Sequence, residues 1–187
     1  MHISSEEAEQ ALKQVEASRR AMRAAIRSNS GHLHLWMWGL IWILMAAVYQ
    51  ARGKAGVPIV NWLCGGGVIA SVVIGMRQGR RVRSPIDKRF IGAVVTLLLF
   101  SYIVWPSLLG VPDDLKVLLA YSAIIFMQIY ILGGLWFDNC LLWTGILITV
   151  FLLASLWLFH PLFYILFAIF GGGTLIATGF YMRFLWR

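Results

Sequence analysis

Apolar residues run in long blocks along this chain, and formal charges fall almost entirely between the blocks. No Asp, Glu, Lys or Arg occurs between Arg27 and Arg52, Lys54 and Arg77, Arg89 and Asp113, Lys116 and Asp138, or Asp138 and Arg183. A helix rises about 1.5 Å per residue, so roughly twenty apolar residues cross about 30 Å of hydrocarbon. The last block is long enough for two crossings and is divided at His160-Pro161. The pattern therefore predicts six spans, near 33 to 50, 57 to 76, 90 to 109, 115 to 136, 140 to 159 and 161 to 182. The expected fold class is all-α, a polytopic membrane helix bundle of six transmembrane helices (31 to 187) preceded by an amphipathic cytoplasmic helix (1 to 30).

Composition agrees with that pattern. A chain of 187 residues that is 60% hydrophobic, with mean hydropathy +0.77 and nine Trp, carries more apolar surface than a water-soluble core of this size buries. Acyl chains are expected to cover the remainder. The polar opening lacks the charged leader, short apolar run and cleavage site of a removable signal, so the first span is expected to act as an uncleaved anchor.

Residues 4 to 27 read as one helix. Ser4 and Glu7 have capping-box spacing, Glu6, Glu7 and Glu9 sit at the positive end of its dipole, and Arg19, Arg20, Arg23 and Arg27 at the negative end. Glu9 to Lys13 and Glu16 to Arg20 are i, i+4 pairs. Its apolar stripe is built mostly of small residues, which permit close approach of another helix and contribute little area. Docking on the protein's own cytoplasmic face, on a partner or second copy, or on lipid headgroups all fit that stripe.

The net charge of +8 is distributed by side. Lys13, Arg19, Arg20, Arg23 and Arg27 precede the first span, Arg77, Arg80, Arg81, Arg83, Lys88 and Arg89 join spans two and three, and Arg183 and Arg187 close the chain. Arg52, Lys54 and Lys116 lie on the other side. The positive-inside rule then puts both termini in the cytoplasm, and the basic face is expected to meet anionic headgroups and not nucleic acid. Arg19, Arg20, Arg23, Arg27, Arg77, Arg80, Arg81 and Arg83 are the candidate contact residues. Trp36, Trp38, Trp136, Trp143 and Trp186 fall near the predicted cytoplasmic boundary, and Trp62, Trp105 and Trp157 near the other, where amphipathic indoles sit best.

Within the spans the most specific local feature is a pair of glycine triplets, Gly65, Gly66 and Gly67 in span two and Gly171, Gly172 and Gly173 in span six. Gly67, Ser71 and Gly75 make a small-residue stripe, and Gly173 and Ala177 continue one in span six, beside Thr174 and Thr178. Such stripes let helix backbones touch where lipid supplies no hydrophobic drive. The alternative is locally unwound backbone whose carbonyls line a ligand path, with Asn61, Gln128 and the hydroxyls of Tyr121, Ser122, Thr174 and Thr178 as polar company. Gly65 to Gly67 and Gly171 to Gly173 are offset by 106 residues, as are Gly39 and Gly145, a weak internal repeat.

Candidate chemistry is sparse. His32 and His34 stand at one boundary and His160 at the other, so no single metal or haem site uses both ends, and no metal or cofactor is expected. Asp87, Asp113, Asp114 and Asp138 lie at boundaries, with Asp113-Asp114 reading as a helix start. No phosphate loop, dinucleotide fingerprint or serine elbow is present, so no enzyme is expected. Cys64 and Cys140 are predicted at different depths and read as buried thiols. Coupled transport usually employs an ionisable residue inside the membrane, and the spans offer none.

The Ala- and Arg-containing N-terminal helix, the Leu35-Trp36-Met37-Trp38-Gly39 entry to span one, the basic run from Arg77 to Arg83 and the Gly-Gly-Gly to Met-Arg ending together resemble bacterial six-span inner-membrane proteins of about this size that have no assigned activity. The resemblance implies a bacterial cytoplasmic-membrane location and no activity. The functional expectation is an accessory, scaffold or sensing subunit acting through its basic cytoplasmic face and N-terminal helix, with a protein partner or second copy at residues 4 to 27. A passive channel or small-molecule carrier, and a lipid- or pigment-binding protein, are the alternatives.

Overall fold

The computed structural model describes residues 9, 10, 12–14, 31–79, 88–110, 112–136 and 139–185. These residues are almost entirely helical, and no strand occurs among them. Most of the expected N-terminal helix lies outside the described residues, as do Arg19, Arg20, Arg23, Arg27, Arg80, Arg81 and Arg83. Residues 9, 10 and 12–14 are helical, and an exposed Glu9–Lys13 ion pair of 2.7 Å joins successive turns.

Five helical stretches among the described residues are long and apolar enough to cross a membrane: Gly31–Arg77, Ile91–Leu109, Leu115–Leu135, Asn139–Leu158 and His160–Phe184. The first is folded back on itself. Helix α1 (Gly31–Arg52) meets a short 3-10 turn (Gly53–Gly56) and then α2 (Val57–Gly79). Gly53 makes the turn with φ +52°, a left-handed conformation that a side chain disfavours. Trp38 then lies against Ser71, Ile41 against Gly67 and Met45 against Cys64, the descending pairing of an antiparallel hairpin.

Helix α3 runs through Lys88–Leu99, a π-helical turn at Phe100–Val104 and a final α segment at Trp105–Leu109. Pro106 accounts for the local register. It has no N–H, so a carbonyl one turn back loses its backbone donor. In the π register that carbonyl belongs to Ser101, and it accepts instead from the Tyr121 hydroxyl at 2.6 Å. Gly110, with φ +80°, ends the helix. Helices α4 (Leu115–Trp136) and α5 (Asn139–Leu158) follow, and α6 is assembled from His160–Leu162, Phe163–Leu166, Phe167–Gly173, Thr174–Phe180 and Tyr181–Leu185, alternating 3-10, α and π turns.

The core is formed by α1, α4, α5 and α6. Ile148, Leu152, Phe163 and Phe167 are wholly buried, and Trp42, Met127 and Leu175 pack with them. Buried hydroxyls satisfy themselves locally: Thr144 donates to the Cys140 carbonyl at 2.8 Å and Ser155 to that of Phe151 at 2.6 Å. Helix α2 packs on α1, and α3 packs on α4, each with little of itself buried. Val60 and Gly67 are the buried residues of α2, and Ser101 that of α3, among the described residues. Trp62 and Trp157 are 83% and 81% exposed, so these indoles face the surroundings of the bundle and not its core.

Candidate binding groove

Because α2 packs along α1 and α3 along α4, a groove remains between α2 and α4, floored by α1 and α6. Along α1 it is lined by His34, Trp38, Trp42, Met45 and Tyr49. Their spacing of three and four residues places them on one helix face. The fifteen rises of about 1.5 Å from His34 to Tyr49 give that face a length of about 22 Å. Two cavities, of about 400 Å³ and about 330 Å³, occupy the groove and share Trp38, Trp42, Val68 and Phe126 as walls. Trp38 and Phe126, with ring centroids 5.9 Å apart, form the waist between them.

Aromatic side chains dominate this groove, and their positions are set by specific contacts. Trp42 stacks on Phe167 at 5.1 Å. The Trp38 indole N–H donates to the Ser71 hydroxyl at 3.0 Å, which fixes the ring across the waist. The Cys64 thiol donates to the Met45 thioether sulfur at 3.6 Å. Polar groups enter the larger cavity from four helices: Tyr49 from α1, Asn61 and Cys64 from α2, Tyr102 from α3 and Ser122 from α4. His34, Ser71 and Tyr130 line the smaller one. Among the described lining residues none is Asp, Glu, Lys or Arg. A third cavity, of about 780 Å³, lies between α3 and α4 and shares Tyr102, Leu118 and Ser122 with the larger cavity of the groove.

At the Tyr49 end of the groove a polar cluster joins the start of α4 to the start of α6. Lys116 Nζ donates to the His160 carbonyl at 2.8 Å and lies 3.2 Å from His160 Nδ1. On the far side of the ring, His160 Nε2 is 3.3 Å from the Asp114 carboxylate. A neutral imidazole with its proton on Nε2 satisfies both neighbours, since Nδ1 then accepts and Nε2 donates. Asp114 also caps α4, accepting the Lys116 backbone N–H at 2.8 Å. That bond, helped by the His160 hydrogen bond and the Lys116 ammonium, holds the Asp114 carboxyl below its ordinary value. Lys116 lies over the Tyr164 ring, and Tyr164 packs on Tyr49 with centroids 6.1 Å apart.

The sequence-predicted residues separate into distinct surroundings. Asn61 and Ser71 line the groove, and Gln128 lines the cavity between α3 and α4. Gly67 lies against Ile41 and Trp38, whereas Gly65 and Gly66 face open space. Gly171 and Gly172 are buried against α1, where a Cβ on Gly171 would be 2.9 Å from the Trp42 ring and one on Gly172 2.6 Å from the Gly39 carbonyl oxygen. Gly173 and Thr174 are half-buried beyond them, and Arg77 is exposed near the end of α2. The two triplets thus occupy unlike environments, and Gly145 packs on Met127 and Ile131 while its counterpart Gly39 packs on α6. Among the described residues no group of His, Cys, Asp and Glu has the geometry of a metal site.

Trp38, Trp42, Tyr49, Tyr102 and Phe126 were not among the candidates from sequence. A signal was present in the His34, Trp38, Trp42, Met45 and Tyr49 spacing. That spacing is equally the mark of a core-facing helix stripe, and only the separation of α2 from α4 turns it into a lining. Compared with known proteins, the chain matches no protein-family model, no curated protein and no solved structure.

Proposed function

We propose that this chain is a multi-pass membrane protein that works by binding, and that its groove between α2 and α4 takes an apolar or amphiphilic molecule from the bilayer. The observation that carries this reading is the pair of adjoining aromatic-lined cavities that share Trp38, Trp42, Val68 and Phe126 as walls. Its volumes are those of small-molecule sites, which are concave, mostly apolar and supplied with a few convergent polar groups. Exposed Val68 and Val72 on α2 and Phe126 on α4 border it, so the molecules that reach it are hydrophobic.

In this reading the bundle crosses the membrane six times, the α1–α2 hairpin supplying two crossings. Both termini and the segment joining α2 to α3 lie in the cytoplasm of a bacterial cell, at its inner membrane. Support for that orientation comes from the placement of Lys and Arg along the chain, and Arg77 with its sequence neighbours Arg80, Arg81 and Arg83 meets anionic headgroups.

The test is to purify the protein in nanodiscs and measure co-retained hydrocarbon-chain molecules by native mass spectrometry. Val68→Trp fills the groove from an exposed position, since Val68 lines both cavities. A bound molecule on the parent protein that Val68→Trp displaces is the expected result. Equal retention by both, or by neither, rejects the groove as the site.

The concentration of charge at residues 6 to 27 and 77 to 89 favours a second reading, in which the chain is an accessory, scaffold or sensing subunit that meets a partner or second copy through its cytoplasmic face. Deleting residues 1 to 28 is then expected to abolish co-purification of that partner while insertion persists. Unchanged association removes this reading.

A further inference from the structure

Resting on the groove as a binding site, we infer that its occupant is an uncharged amphiphile whose flat, carbonyl-bearing ring, of quinone type, sits in the larger cavity with its hydrocarbon chain running past Trp38 toward His34. Three observations define that chemistry. The first is charge. With no Asp, Glu, Lys or Arg among the described lining residues, an ionised headgroup in the cavity would be desolvated without a counterion. A neutral head incurs no such cost.

The second is shape. The side chains of Trp38, Trp42, Phe126 and Phe167 line the larger cavity, and aromatic walls favour a planar partner in offset or edge contact. A saturated chain gains only area from the same walls. Trp38 and Phe126 touch, with ring centroids 5.9 Å apart, so a chain passes beside the pair along Val68, which lines both cavities, into the smaller one.

The third is an unpaired donor. Asn61 is exposed on α2 and lines the larger cavity, and its amide has no hydrogen-bond partner among the described residues. An exposed amide at the rim of the cavity can donate to a ligand carbonyl placed against it. Tyr49 and Cys64 line the same cavity, so a ring carrying carbonyls on two edges finds further polar neighbours there. Binding alone is inferred here, with no electron or proton transferred.

Decylubiquinone titrated into the protein in saturated phosphatidylcholine nanodiscs tests the inference through tryptophan fluorescence. Saturable quenching is expected, with the quenched component lost in Trp42→Phe. Asn61→Leu, at an exposed position, is expected to raise the half-saturation concentration about five- to tenfold, the worth of one hydrogen bond in an apolar site. The same two proteins in nanodiscs of brominated-acyl phosphatidylcholine should be quenched alike, because a plain chain has no use for the amide. Quinone quenching that rises linearly with its membrane concentration overturns the inference. So does saturable quenching that Asn61→Leu leaves unchanged; if Val68→Trp still abolishes it, the groove stands and the ring assignment falls. If neither quinone nor brominated chain quenches the groove tryptophans, the groove reading falls as well.

Discussion

Gly39 of α1 and Gly172 of α6 cross backbone to backbone: a Cβ on either would lie within 2.7 Å of the other's carbonyl oxygen. This crossing brings Trp42 over Gly171 and Trp36 over Gly179, so large rings on α1 are received by missing side chains on α6. Without water to drive helices together, such contact is how apolar spans associate. It also pins the floor of the groove, because Trp42 lines the groove on one side of α1 and stacks on Phe167 of α6.

Gly172→Leu is therefore expected to disrupt the bundle, costing about 3 kcal/mol or more since backbone and not a flexible side chain stands in the way. Gly66→Leu faces open space and should leave stability within about 0.5 kcal/mol of the parent. Thermal unfolding in detergent separates the two. Equal losses would show that the triplets share one role.

Tyr121→Phe removes the donor that serves the Ser101 carbonyl. Leaving a buried acceptor unpaired costs about 1–3 kcal/mol. In a Pro106→Ala background the restored N–H can serve the turn, so the same change should cost less. A double-mutant cycle on unfolding free energy measures the difference, and strict additivity would reject the compensation.

Ser71→Ala frees the Trp38 indole at the waist between the two cavities. The expected loss is about 1 kcal/mol, with a change in Trp38 emission anisotropy seen against a Trp38→Phe reference. Unaltered emission would mean that packing alone holds the ring.

Asp114 titrates lower in the folded protein than its ordinary value of 3.8, chiefly because it accepts the Lys116 backbone N–H. A carboxyl depressed by folding stabilises the native state above its unfolded value, and that contribution disappears as pH falls through the folded one. Stability should therefore decline below about pH 4 in the parent and decline less in Asp114→Asn. Parallel acid-unfolding curves would show that the cap carries no linkage.

Leu115 to Trp136 was legible to the residue, because an apolar block bounded by Asp114 and Asp138 leaves a helix little freedom in hydrocarbon. Other expected spans differ from the observed helices by a few residues at their ends: α1 and α2 continue as α-helix to Arg52 and Gly79, and a π turn carries α6 to Leu185. The glycine triplets were equally visible, but their neighbours were not. Nothing local distinguishes Gly66, beside open space, from Gly172, pressed on Gly39.

Backbone hydrogen bonding in an apolar medium is a local demand, so the order of residues alone determined that the described segments are helical and where the long apolar stretches lie. Which faces of those helices meet is decided by shape matching between residues far apart in the chain, such as Trp36 with Gly179 or Tyr121 with Ser101. Only the tertiary structure could set that match. It turned an ordinary apolar stripe on α1 into the lining of a groove by holding α2 and α4 on either side of it.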